Sequence, residues 1–110
     1  MPGMPPELKS VFERFTEGPT LVTAAVRDIG PAQINRPGKE GWSIRDILVH
    51  LSDTELVRAV RMRTVLTEDE PTLVTFDEGT WKKRLHYQWR SPEVALSLFQ
   101  LTRYSTAEML

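Results

Sequence analysis

Between Gly41 and Asp53 the chain spells out the start of one long helix, and that start constrains the fold more than any other stretch. Ser43 stands where an N-cap belongs. Asp46 sits three residues on, as in a capping box. The pattern that follows is helical and predicts a helix running to about Thr67. With Ile44 at zero and about 100° per residue, Ile47, Leu48, Leu51, Met62, Val65 and Leu66 form one stripe about 60° to either side. Glu55 and Arg58 fall on the same stripe. Buried charge is costly, so a pair there needs a reason. An i,i+3 salt bridge, or a face only partly covered, is the favoured reading.

The remaining punctuation is helical too. Pro6 can open a helix, and Leu8, Val11, Phe12 and Phe15 follow at helical spacing. Gly18-Pro19 interrupts this run, and Leu21, Val22, Ala25, Val26 and Ile29 resume it. One kinked helix over about 6–29, or two short ones, is expected, stopped by Gly30-Pro31. Residues 35–42 read as a loop and 68–76 as a long connection. Asp77 can cap a short helix through Trp81 to about Tyr87. Ser91-Pro92-Glu93 is a further start signal, and Val94, Leu98 and Leu101 share a side from there to the end of the chain. Strand patterns are absent. The chain reads as all-α: a single domain over 1–110, an up-down helical bundle of three long helical segments plus a short one.

A chain of 110 residues can build one core. Charged residues make up 26% and the formal net charge is −1, so no overall field draws the protein to nucleic acid. The basic residues alternate with acids and show no groove-reading motif. There is no cysteine, which excludes disulfides, thiolate nucleophiles and cysteine-bound metals. No apolar run reaches the roughly 20 residues of a membrane span, and the start lacks the regions of a signal peptide. A cytoplasmic location, no membrane and no nucleic acid are the expectations.

Few residues can carry chemistry. His50 lies at about 240° on the wheel, beside the apolar stripe. Neutral imidazole is the commonest metal ligand and bundle cores often hold metals. A catalytic zinc takes about three protein ligands, however, and this helix supplies one. Spacing alone therefore favours a hydrogen-bonded structural histidine. His86, near the end of a short basic helix, is explained by that helix end. Trp42, Trp81 and Trp89 read as packing residues. Nucleotide-binding, Ser/His/Asp and calcium-loop patterns are all missing.

The stretch Gly41-Trp42-Ser43-Ile44-Arg45-Asp46-Ile47-Leu48-Val49-His50-Leu51-Ser52-Asp53 resembles the signature of the DinB-like superfamily. Leu66-Thr67-Glu68-Asp69-Glu70-Pro71, Phe76-Asp77-Glu78 and Trp81 resemble its bacillithiol-transferase branch, formerly described as metal-dependent hydrolases. Ser91 to Leu110 resembles that family's third long helix. The resemblance implies a four-helix bundle with a three-histidine site for zinc or nickel. It also implies transfer of a low-molecular-weight thiol to a small electrophile, with hydrolysis as the near alternative. His50 matches the first metal ligand. The other two, a His-x-x-x-His pair on a fourth helix, have no counterpart up to Leu110. The expectation is that the reading frame continues for about 40–60 residues, enough for a helix and its connection. A second expectation is that these 110 residues bind metal weakly or not at all. Asp53 is a weak candidate for orienting a group around the metal, since it lies about 60° from His50 on the wheel. With stripes patterned for four helices, a homodimer centred on Leu51, Met62, Leu98 and Leu101 is also expected.

Overall fold

The computed structural model describes residues 3–110 and is helical throughout, with no strand among the described residues. The elements are α1 (Pro6–Val26), α2 (Pro31–Ile34), α3 (Ile44–Thr67), α4 (Glu78–Arg84), a 3-10 turn (Tyr87–Trp89) and α5 (Pro92–Ala107). The expected all-α bundle is what the chain forms, but its long helices do not alternate up and down as expected: residues 68–77 carry the chain back, and α3 and α5 run in the same direction. None of the helices is long and apolar enough to cross a membrane.

The start signals behave as their chemistry requires. The Ser43 hydroxyl accepts from the Asp46 amide at 3.1 Å, and the Asp46 carboxylate accepts from the Ser43 amide at 3.0 Å. Asp77 caps α4 through Thr80 (2.8 Å) and Ser91 caps α5 through Val94 (3.1 Å). Boundaries move by a few residues. α1 is one helix ending at Val26 rather than Ile29. α4 stops at Arg84, because His86 takes a left-handed conformation (φ 52°). α5 ends at Ala107, and the chain closes in a turn.

Side-chain pairings give the helix directions. Asp53 meets Arg90, Glu55 meets Arg103 and Arg63 meets Thr106, so α3 and α5 run parallel. Phe15 meets Arg103 and Thr23 meets Gln100, so α1 runs against α5. The segment between α3 and α5 makes the parallel pair possible. α3 has 24 residues, about 36 Å of helix, and ten extended residues can retrace that length. Residues 68–77 do so. Arg61 Nε donates to the Val74 carbonyl at 2.7 Å, and Glu78 then arrives beside His50.

This arrangement rotates the buried face of α3 away from the apolar stripe. Ile47, Val65 and Leu66 are exposed; Asp46, Val49, Ser52, Asp53 and Glu55 are buried. Two neighbours cause it. α5 lies along the Glu55–Ala59–Arg63 side, and the stretch from Glu78 to Arg90 covers the side of His50 and Asp53. Arg58 stays exposed and the local Glu55–Arg58 bridge does not form. Glu55 instead takes Arg103 in a two-pronged pair, both distances 2.7 Å.

Arg103 explains Gly18-Pro19. A proline inside a helix has no N–H for the carbonyl four residues back. Pro19 thus leaves the Phe15 carbonyl short of its helical donor, and Arg103 Nη1 donates to it at 2.9 Å. Gly18 leaves the room for this approach: a Cβ there would lie 2.9 Å from Arg103 Nη1. The guanidinium also lies over Phe15 (4.3 Å) and Phe99 (5.1 Å).

Removing one member of a buried ion pair strands the other, at about 3–5 kcal/mol. Glu55→Ala and Arg103→Ala should each lose that much in urea unfolding, and the double leucine variant should lose less than either. Gly18→Ala should cost about 1–3 kcal/mol through overpacking against a clamped side chain. Wild-type midpoints for these single variants would show that the pair does not hold the helices.

Candidate functional site

His50 sits on the second turn of α3, its side chain 21% exposed. The Trp42 ring meets it edge-on, with centroids 5.5 Å apart. Thr54 Oγ1, one helical turn along, lies 3.4 Å from the ring nitrogens. Glu78 Oε1 is 3.7 Å from His50 Nε2. The imidazole is thus held from three directions by Trp42, Thr54 and a carboxylate. Glu78 comes from a different element, delivered by the returning segment. Periodicity could not show this, although Glu78 belongs to the Phe76-Asp77-Glu78 match.

Asp53 has another occupation. Its two oxygens accept from Arg90 at 2.7 and 3.0 Å, and its side chain is almost wholly buried. The carboxylate beside it raises the Arg90 guanidinium pKa further. The Arg90 carbonyl accepts from Arg45 Nη1 at 2.8 Å. The start of α3 is therefore pinned to the residue just before α5. Tyr87 is fully buried beneath this corner, and its hydroxyl finds no protein partner. Burial first, then the Asp53 carboxylate, pushes its pKa well up. Trp42 and Trp81 pack against the Val49–Tyr87–Ala95 core cluster, whereas Trp89 is exposed and stacks on His86 at 4.9 Å.

The donor set around His50 is an imidazole and a carboxylate. Among the described residues no group of three or more His, Cys, Asp or Glu side chains could hold a metal ion. His86 joins no such group. The residues present do not build a three-ligand centre.

A family profile of the DinB superfamily matches residues 14–110. The chain belongs to the DinB superfamily. A candidate metal-dependent hydrolase of Bacillus licheniformis is 28% identical over 93 residues, which cover 84% of this chain and 53% of the relative. One of Geobacillus thermodenitrificans is 31% identical over 78 residues, covering 70% and 44%. The chain spans about half the length of the curated relatives it matches. YfiT of Bacillus subtilis, described as having an "unusual four-helix bundle topology", superposes with a TM-score of 0.85 at 23% identity. That match covers 99% of this chain and 63% of YfiT. At that identity the likeness shows the DinB fold.

Arg90→Ala should leave the Asp53 carboxylate buried and unpaired, costing about 3 kcal/mol in chemical unfolding. Asp53→Asn in the same chain should recover part of the loss; no recovery would break the assignment. The helix that carries Glu78 should respond to acid. The Thr80 amide holds the Asp77 carboxyl below its usual pKa. The cap's contribution is complete above the ordinary aspartate range and lost as pH falls through the lowered value. NMR shifts of residues 78–84 should lose helical character there, and Asp77→Ala should show the same loss at neutral pH.

Proposed function

We propose that this chain supplies His50 as one ligand of a divalent-metal site, zinc or nickel, in a DinB-type enzyme. The proposed reaction transfers a low-molecular-weight thiol to a small electrophile, and hydrolysis is the second reading. The observation carrying the proposal is the held imidazole, half-buried and set against Trp42, Thr54 and Glu78. A metal in such a site supplies Lewis acidity that favours a thiolate or hydroxide at neutral pH. A complete site needs further ligands that the described residues do not supply. Within the chain, Trp42 and Thr54 fix the ring, and Glu78 offers a carboxylate at its Nε2. Asp53 is excluded from this work by its bond to Arg90.

A second reading, association of two copies, is favoured by one surface. Leu56, Val60, Leu101 and Tyr104 are exposed, and the first three line a cleft of about 390 Å³ along the α3–α5 seam. Of the residues expected to centre such a contact, Leu101 is 68% exposed, whereas Leu51, Met62 and Leu98 are half-buried.

Calorimetric titration of the 110-residue chain with zinc and nickel should give weak binding without saturation in the micromolar range, abolished by His50→Ala. Binding indifferent to His50→Ala, or no binding at all, would overturn the ligand assignment. Sedimentation in the same buffer reads the association.

A further inference from the structure

Beside His50 lies a second feature that the metal-site proposal leaves unused. A cleft of about 450 Å³ is lined by Trp42, Gly79, Lys82, Lys83 and Gln88. Two of these five carry a positive charge and none carries a negative one. Lys82 Nζ lies 5.1 Å from the Trp42 ring centroid and 3.3 Å from the Gly41 carbonyl. Asp46 is ion-paired with Lys82, which leaves Lys83 as the lining cation with no counter-ion among the described residues. Asp46, 3.8 Å from Lys82, is buried and accepts from the Ser43 amide in the helix cap; Glu78 faces His50. Lys83 is exposed and makes no ion pair among the described residues. Trp42 is common to both places, touching the His50 ring on one contact and Lys82 on another.

We infer that this cleft binds the carboxylate end of a small acidic substrate, with Lys83 taking the charge beside the Asp46-paired Lys82. The indole of Trp42 gives the carbon skeleton a flat apolar wall and leads it towards His50. Gln88 offers an amide that can donate to a carboxylate oxygen. With Lys82 paired to Asp46, Lys83 brings the one uncompensated charge, which suits a single carboxylate. The inference deepens the proposed function by naming its substrate class, and so rests on that reading for the direction in which the ligand points. The binding itself needs no metal.

The test uses the metal-free 110-residue chain, with succinate as the probe and succinamide as its uncharged counterpart. Titration is followed by the indole N–H resonance of Trp42. Succinate should shift that resonance saturably and succinamide should not. Lys83→Glu should weaken succinate binding roughly tenfold by reversing the uncompensated charge, and Lys83→Arg should retain it. Lys83 is exposed, so these variants keep the fold, which helical circular dichroism checks. Lys82→Arg gives an independent arm and should also bind. Equal shifts with succinamide, or wild-type affinity in Lys83→Glu, would overturn the inference. So would shifts confined to Trp89. Because zinc and nickel are absent, a negative result here leaves the His50 assignment standing, and failure of metal binding leaves the cleft standing.

Discussion

The bundle depends on one guanidinium. Among the described residues, Arg103 is the only side chain tied by hydrogen bonds to both other long helices at once: Glu55 of α3 and the Phe15 carbonyl of α1. It also separates the rings of Phe15 and Phe99 with a flat cation. A guanidinium suits this place because it is planar, always charged and carries five donors in a fixed fork. Lysine would leave one carboxylate oxygen or the carbonyl unmet. The α1 helix has little else to hold it, since Pro19 is its one buried residue while Leu8, Val11 and Leu21 face solvent. Proline and glycine, usually read as helix-breaking, serve here as a socket.

The site stands on a second, similar lock. Arg90 closes on Asp53, and Arg45 closes on the carbonyl of Arg90. These bonds join the first turns of α3 to the turn that precedes α5. His50 lies within that pinned region, so its ring direction is set by the fold as well as by Trp42. The returning segment adds the third side. It is extended because it must span a 24-residue helix with few residues, and Pro71 suits an extended path. An α3–α5 pair running parallel therefore has a functional consequence: the crossing chain carries Glu78 and the basic turn of α4 to the histidine.

Much of this was legible in the residues. The three capped starts and the short α4 follow from local chemistry, in which Ser43, Asp77 and Ser91 each satisfy amides at a helix end. His50 was visible as the one histidine next to a long helix's packing face, and the family resemblance supplied the role proposed for it. The ring contacts to Trp42 and Glu78 were not, because they depend on where a ten-residue extended segment runs. Glu55 was flagged as a charge needing a reason, but its partner lay 48 residues away rather than three. Nothing in a single-helix wheel reports a contact of that range. The exposed Ile47, Val65 and Leu66 show the complementary failure: a wheel finds the apolar side, while the neighbours determine which side is covered.

Among the described residues, buried polar and charged side chains are nearly as numerous as buried apolar ones, and several of the apolar ones are small. Such a core gains less from the removal of apolar surface than one filled with leucine and phenylalanine. Ion pairs of this kind add little net stability against well-packed apolar substitutes, but they penalise any arrangement that leaves a charge alone. The directional bonds of Arg103, Arg90 and Arg45 therefore select helix direction and register rather than supply bulk stability. That division suits a protein whose site is assembled from three separate segments, the loop before α3, α3 itself and the start of α4. Apolar packing tolerates a small slide between helices, whereas a two-pronged pair between Arg103 and Glu55 does not. A slide of one turn along α3 would carry His50 past Glu78 and Trp42, and the buried carboxylates at positions 53 and 55 oppose that slide.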